Sequence, residues 1–233
     1  MSNVVPFERR AAGRPDLAGS AHRGMLAIVL ASAMTGTGKT MLAAHLAVEA
    51  GRGGDAPVGI LDTDPKGSLT EWFHRRHGGI GQPAHAAHVD MADLAEAVTA
   101  MAARGCRLCF IDTPSGPAEA IAPAIEAAGL VIVPSDADPG GTADAVALAR
   151  DIAGRATVAF VTNGRSHSGE KTGNALAALG AGLGWPAGMV RHADLYPLAM
   201  TAGRTVGESQ PEGYAAADIA ELWATIRGIL VAG

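Results

Sequence analysis

Aromatic side chains are scarce in this sequence. Phe, Trp and Tyr together account for 4% of 233 residues, while hydrophobic residues as a whole reach 48%. The core must therefore be built from small aliphatic side chains and close backbone contact rather than from stacked rings. Cysteine is scarcer still. Cys106 and Cys109 are the only two, which excludes a disulfide-stapled scaffold and makes a reducing, cytoplasmic setting the expectation. Their C-x-x-C spacing lies in an apolar stretch, Cys106 to Ile111, that reads as a buried strand. Residues three apart on a strand point to opposite faces, so core packing is expected rather than redox chemistry. No apolar run approaches the roughly 20 residues of a membrane-spanning helix. The first 23 residues carry Arg9, Arg10, Arg14 and Arg23 but no apolar centre, so no signal peptide is expected. Net charge is −5, which excludes a chain coated in basic surface but leaves room for a local basic patch.

Apolar substance is present in quantity, and it is patterned. The length suits one large domain. Residues 1–24 are polar and aperiodic and read as a flexible, locally basic tail that could regulate the protein or contact DNA; the domain is expected over 25–233. Short buried strands are expected at Met25–Ala31, Pro57–Asp62, Leu108–Asp112, Leu130–Val133 (stopped by Pro134), Thr157–Thr162 and Met189–Arg191, with a short edge strand at His88–Val89. Helical periodicity falls at Met41–Ala50, Leu69–Arg76 (capped by Ser68), Asp93–Ala103, Ala118–Ala128, Thr142–Ile152, Gly169–Leu183, Leu195–Ala202 and Ala215–Val231. Strands alternating with helices specify an α/β fold: a mostly parallel sheet covered on both faces. Right-handed crossovers then bring every strand's C-terminal end to one edge, where open α/β sheets bind ligands.

The densest local signal is Ala33-Met34-Thr35-Gly36-Thr37-Gly38-Lys39-Thr40, set between the first strand and the first helix. Against the phosphate-loop pattern G-x-x-x-x-G-K-[ST] it matches at the second Gly, the Lys and the Thr, with Ala33 in place of the first Gly. Gly36 and Gly38 allow the backbone to turn tightly and aim N–H groups at an anion. The helix that follows adds its positive end. Lys39 is placed to reach the β/γ-phosphates and the Thr40 hydroxyl to bind Mg²⁺.

Carboxylates end two of the buried strands. Leu61-Asp62-Thr63-Asp64-Pro65-Lys66-Gly67-Ser68 carries two of them and Phe110-Ile111-Asp112-Thr113-Pro114 a third. In nucleotide hydrolysis one such carboxylate serves the Mg²⁺ shell and another orients the attacking water.

These blocks, with Leu130-Val131-Ile132-Val133-Pro134 and Phe160-Val161-Thr162-Asn163, resemble the ParA/MinD family of deviant Walker-type ATPases, and most of all the short ParA proteins that partition plasmids. The resemblance runs from Met25 to the C-terminus. It implies a P-loop NTPase fold and ATP with Mg²⁺ as cofactors. It places the nucleotide on Thr35, Gly36, Thr37, Gly38, Lys39, Thr40 and Met41, with Asn163 contacting adenine. It implies a metal site of Thr40, Asp62 and Asp112, and hydrolysis that depends on Lys39, Asp62 and Asp64, the last positioning the water. A nucleotide-dependent homodimer, non-specific DNA binding, a ParB-type partner and nucleoid association are implied as well. No membrane contact is expected, because the closing helix (Ile219, Leu222, Trp223, Ile226, Leu230) reads as core and lacks a basic face.

The sequence departs from that family at one position. The family's motif begins with a Lys that reaches across the dimer to the partner's ATP; Met34 stands there and can donate neither charge nor hydrogen bond. Slow hydrolysis is the expectation, unless another cation substitutes. Lys66 is the candidate, where the family usually has Gln. Two other function classes compete: a dethiobiotin-synthetase-like ATP-dependent enzyme, whose loop also lacks that Lys, and an ATP-binding switch with little turnover. Weaker signals are the pairs His74/His77 and His85/His88, expected to be surface residues rather than metal ligands, and a dispersed basic set, Arg165, Lys171, Arg191 and Arg204.

Overall fold

A computed structural model describes residues 24–76, 81–136, 138–164, 187–191 and 194–232. Seven strands form one parallel sheet: β1 (Leu26–Leu30), β2 (Val58–Asp62), β3 (His85–His88), β4 (Leu108–Asp112), β5 (Leu130–Asp136), β6 (Thr157–Gly164) and β7 (Ala187–Arg191), in the spatial order β3-β2-β4-β1-β5-β6-β7. The helices are α1 (Lys39–Arg52), α2 (Ser68–Arg75), α3 (Leu94–Ala103), α4 (Ala122–Ala127), α5 (Pro139–Ile152), α6 (Leu195–Thr201), α7 (Val206–Ser209) and α8 (Tyr214–Ala232). This is the α/β architecture expected from the alternation of strands and helices.

Strand residues alternate between two cores because successive side chains leave a strand on opposite faces. Ile28 and Leu30 of β1 join one core with Leu42 and Leu46 of α1, Trp72 of α2, Tyr196 of α6 and Ile219 and Trp223 of α8. Ala27 and Val29 join the other with Leu94 and Val98 of α3, Ile125 of α4 and Leu148 of α5. Both cores are rich in Ala, Val, Ile and Leu, as the shortage of aromatics requires.

β1 is the pivot. It pairs with β4 from Leu26↔Leu108 to Leu30↔Asp112 on one side and with β5 on the other. The chain leaves β1 toward β2 and leaves β4 toward β5, so the two connections run in opposite directions over opposite faces of the sheet, α1 on one and α4 on the other. A crevice opens where connections diverge, and ligands of open α/β sheets bind there.

Several boundaries differ from the sequence expectation. β5 continues through Pro134 to Asp136. Its register with β1 ends at Ile132, whereas its register with β6 runs to Asp136↔Asn163. Pro134 thus sits where β5 has no β1 neighbour, and a missing N–H costs little there. α5 starts at Pro139 rather than Thr142: Asp138 caps it by accepting from Gly141 N at 2.8 Å, and Pro occupies the first turn, where its absent N–H is harmless. Ser68 is the first residue of α2, not its cap; Gly67 holds that position in the left-handed region (φ +64). The short helix α7 was not expected, yet Thr205 and Glu208 form a capping box around it. Cys106 lies outside β4, so the opposite-face argument does not apply to it. Both cysteines are buried, unbonded members of the same core. Residues 1–23 of the tail expected at 1–24, and the helix expected at Gly169–Leu183, lie outside the described residues.

Candidate functional site

The loop from Ala31 to Gly38 joins β1 to α1 at the divergence point. Gly36 and Gly38 both take positive φ (79° and 93°), which only Gly adopts at little cost. Gly38 is constrained twice over, since a Cβ there would sit 2.5 Å from the Asn163 amide nitrogen. That amide donates to the Thr37 carbonyl at 2.6 Å, so the end of β6 holds the loop in place. The loop's outer lip is held by Ser32, whose Oγ accepts from Met34 N at 3.2 Å, and by Ser115, which donates to the Met34 carbonyl at 3.0 Å. The Met34 side chain itself is 52% exposed.

Lys39 opens α1 and is buried. Its ammonium donates to Ser115 Oγ at 2.6 Å. Burial lowers its pKa, and the carboxylates of Asp112 and Asp64 partly oppose that effect. Thr40 donates to Asp112 Oδ2 at 2.5 Å. The other oxygen of Asp112, Oδ1, is buried without a hydrogen-bond partner among the described residues. Burial pushes the Asp112 carboxyl up to about 7, the Thr40 hydrogen bond opposing the rise and neighbouring Asp62 adding to it. A buried carboxylate oxygen left unpaired is costly unless something satisfies it. A hydroxyl and carboxylates in one place form the all-oxygen donor set that Mg²⁺ prefers, and the residues present fit that ion.

Asp62 is buried and accepts from two backbone N–H groups, Asp64 N at 3.2 Å and Thr70 N at 2.9 Å. It ties the loop after β2 to the first turn of α2. Asp64 lies at the mouth of the site and accepts from Lys66 N at 3.0 Å. Thr35, Gly36, Gly38, Lys39, Thr40, Met41, Asp64, Lys66, Ser68, Arg75, Pro114 and Ser115 line one open cleft of about 600 Å³, closed at the far side by Pro197, Met200 and Thr201 of α6. The sheet edge thus brings together every predicted site residue: Thr35, Gly36, Gly38, Lys39, Thr40, Met41 and Asp64 on the cleft, Asp62 and Asp112 beneath it, and Thr37 and Asn163 behind the loop.

Sequence reasoning missed Ser115, which bridges Lys39 and Met34; its signal was a hydroxyl three residues past a strand-ending Asp. It also missed Arg75 as a cleft residue. Among the described residues no group of three or more His, Cys, Asp or Glu could hold a metal ion. His77, Arg165 and Lys171 fall outside those residues. Arg191 is not a free basic group: Asp218 holds it at 2.6 Å, and it lies over the Tyr214 ring at 4.9 Å. No described helix is long and apolar enough to cross a membrane. In α8, Ile219, Leu222, Trp223 and Ile226 are buried core residues, with Leu230 packed against them.

The family model for the CobQ/CobB/MinD/ParA nucleotide binding domain matches residues 28–229. The chain belongs to this family. The match includes the phosphate loop, all three carboxylates and Asn163. Among solved structures, MinD of Pyrococcus horikoshii OT3, complexed with Mg-ADP, superposes with a TM-score of 0.71 at 15% identity, over 87% of this chain and 96% of that one. Apo McdA of Cyanothece gives 0.65 at 18% identity, over 88% and 99%. A ParA family ATPase from Chlorobium tepidum TLS gives 0.65 at 11%, over 87% and 98%. These likenesses establish the P-loop NTPase fold shared by MinD and ParA. No curated protein sequence matches the chain.

Proposed function

We propose that this protein is an ATP-binding, slowly hydrolysing switch of the ParA type. In this reading nucleotide closes two copies into a dimer, the dimer binds DNA without sequence preference, and hydrolysis or nucleotide loss reopens it under a ParB-type partner. The cargo is plasmid or chromosomal DNA. The observation that carries the nucleotide part is the buried Asp112 Oδ1, without a partner among the described residues, on the carboxylate that accepts from Thr40 of the phosphate loop. Thr40 and Asp112, with Asp62 close by, would hold Mg²⁺, which neutralises charge on phosphate oxygens when bound.

The chain's own groups divide the work. Backbone N–H groups from Gly36 to Thr40 and the N-terminal end of α1 attract the phosphates. Lys39 exchanges its Ser115 partner for a phosphate oxygen. Asp64, tethered through Lys66 N, would orient water. Asp62 acts through Asp64, as the residue that positions its loop. Asn163 fixes Thr37 with its nitrogen and keeps its carbonyl oxygen for the amino group of adenine.

Met34 is the observation that favours low turnover. It is an exposed, uncharged side chain on the lip of the loop, where a trans-acting cation would otherwise contribute to the transition state. Measuring ATP hydrolysis and sedimentation with and without ATP, DNA and a candidate partner tests the reading. ATP-dependent dimers with turnover raised by DNA or the partner support the ParA role. Tight ATP binding without turnover supports a binding switch. Turnover only with an organic amine or carboxylate co-substrate supports a dethiobiotin-synthetase-like enzyme and contradicts the proposal.

A further inference from the structure

The lining of the cleft carries more cations than carboxylates, although the chain as a whole is acidic. Lys39, Lys66 and Arg75 line it, against a single lining carboxylate, Asp64, in a chain of net charge −5. The arrangement follows from α2. Ser68 and Arg75 stand seven residues apart, two turns on one helical face, and both line the cleft, while Leu69 and Trp72 on the adjoining flank of the helix are fully buried. Lys66 sits just before the helix, with its backbone N–H on Asp64.

Neither outer cation is strongly held by the protein. Arg75 has one ion pair, to Glu71 at 3.6 Å with both side chains well exposed, and such a pair is worth little. Lys66 has no ion pair among the described residues. Like charges gathered on a cleft wall raise the free energy of the empty protein and are relieved by a polyanion. Lys39 and the loop's N–H groups account for the phosphates nearest α1. Lys66 and Arg75 line the same cleft, Lys66 from the loop before α2 and Arg75 from the last residue of α2.

We propose that Lys66 and Arg75 are the contacts that distinguish a nucleoside triphosphate from a diphosphate: they meet the terminal phosphate from within the same chain and supply the charge that Met34 does not. This rests on the nucleotide-binding reading above. It assigns to Arg75, a residue no sequence motif marks, a direct role in ligand choice.

The test is binding of MgATP and MgADP to the full chain by titration calorimetry, for wild type, Lys66→Ala, Arg75→Ala and the double variant. Each single substitution is expected to weaken ATP by about tenfold, the order of one charge-assisted contact, and the double variant by more. ADP is expected to change less than about twofold, because α1 and the loop hold it. Both side chains are exposed, so unfolding midpoints should stay within about 1–2 °C of wild type. Equal loss of ATP and ADP, or no loss of either, overturns the proposal while leaving nucleotide binding intact. A wild-type chain that binds neither nucleotide overturns the underlying reading instead, and the proposal with it.

Discussion

Thr40 donates its hydroxyl to one oxygen of Asp112 at 2.5 Å, and the other oxygen of Asp112 has no partner among the described residues. One residue comes from the start of α1 and the other from the end of β4, 72 positions later. Parallel pairing of β1 and β4, with Leu30 opposite Asp112, brings them together. A buried carboxylate oxygen without a hydrogen-bond partner is costly.

Asp112→Asn should therefore stabilise the nucleotide-free protein while removing its response to Mg²⁺. The Asp112 carboxyl has a pKa raised to about 7. A raised acid binds protons in the folded state that the unfolded chain has released, so its contribution to stability falls as pH rises from about 4 to about 7. At pH 8 the substitution should gain about 2 kcal/mol, or roughly 4–8 °C in the unfolding midpoint. Thermal unfolding with and without MgATP checks both halves. Wild type should gain stability on adding MgATP, and the variant should gain much less.

His45 gives a pH dependence of opposite sign. It is buried in α1, its Nδ1 is 2.8 Å from the Met41 carbonyl, and its Nε2 has no partner among the described residues. It packs edge-on against Tyr196 at 5.3 Å. Burial lowers its pKa to about 4, the hydrogen bond to the Met41 carbonyl and then Glu208 opposing, Arg76 assisting. A depressed base is protonated first in the unfolded chain, so stability is lost as pH falls from about 6.5 to about 4. His45→Leu should flatten the denaturation free energy across that window by up to about 3 kcal/mol. Urea titrations of both proteins at pH 7 and 4.5 measure the difference, and Asp112 cancels between them.

The end of α2 is anchored by Arg76. Its guanidinium is almost fully buried and pairs with Glu208 at 2.8 Å, donates to the Gly203 carbonyl at 3.1 Å and to Gln82 at 2.6 Å, and lies over Trp72 at 4.8 Å. Burial works to raise the Glu208 pKa, but hydrogen bonds from Arg76 and Thr205 hold it below the usual carboxylate value. Arg76→Ala leaves that carboxylate half-buried without its partner and should cost about 3–5 kcal/mol. Arg76→Lys should recover little, since an ammonium cannot reproduce the fork. Denaturant unfolding of the three proteins decides this.

Much of the site was legible in the sequence because it depends on local spacing. The loop Thr35–Thr40, the strand-ending Asp62 and Asp112, and Asn163 at a later strand end each sit where apolar periodicity stops, and parallel topology does the rest. What was not legible depends on packing. Nothing near Pro134 says that β5 outlasts its β1 neighbour. Nothing in the sequence around Ser115 says that its hydroxyl holds Lys39. Arg75 reads as a solvated helix residue until α2 is docked with Ser68 facing the cleft. The capping box Thr205–Glu208 was visible as a T-x-x-E pattern, but α7 is a helix of only four residues, too short for periodicity to reveal.

The central claim is that this cleft takes a Mg²⁺-nucleotide through Lys39 and Thr40. Equilibrium binding of a fluorescent ATP analogue, with and without Mg²⁺, to wild type, Lys39→Ala and Thr40→Ala tests it most directly. The prediction is Mg²⁺-dependent binding by wild type, a loss of about 100-fold or more in Lys39→Ala, and binding by Thr40→Ala that no longer responds to Mg²⁺. Equal binding by all three proteins, or none by folded wild type, would contradict the account.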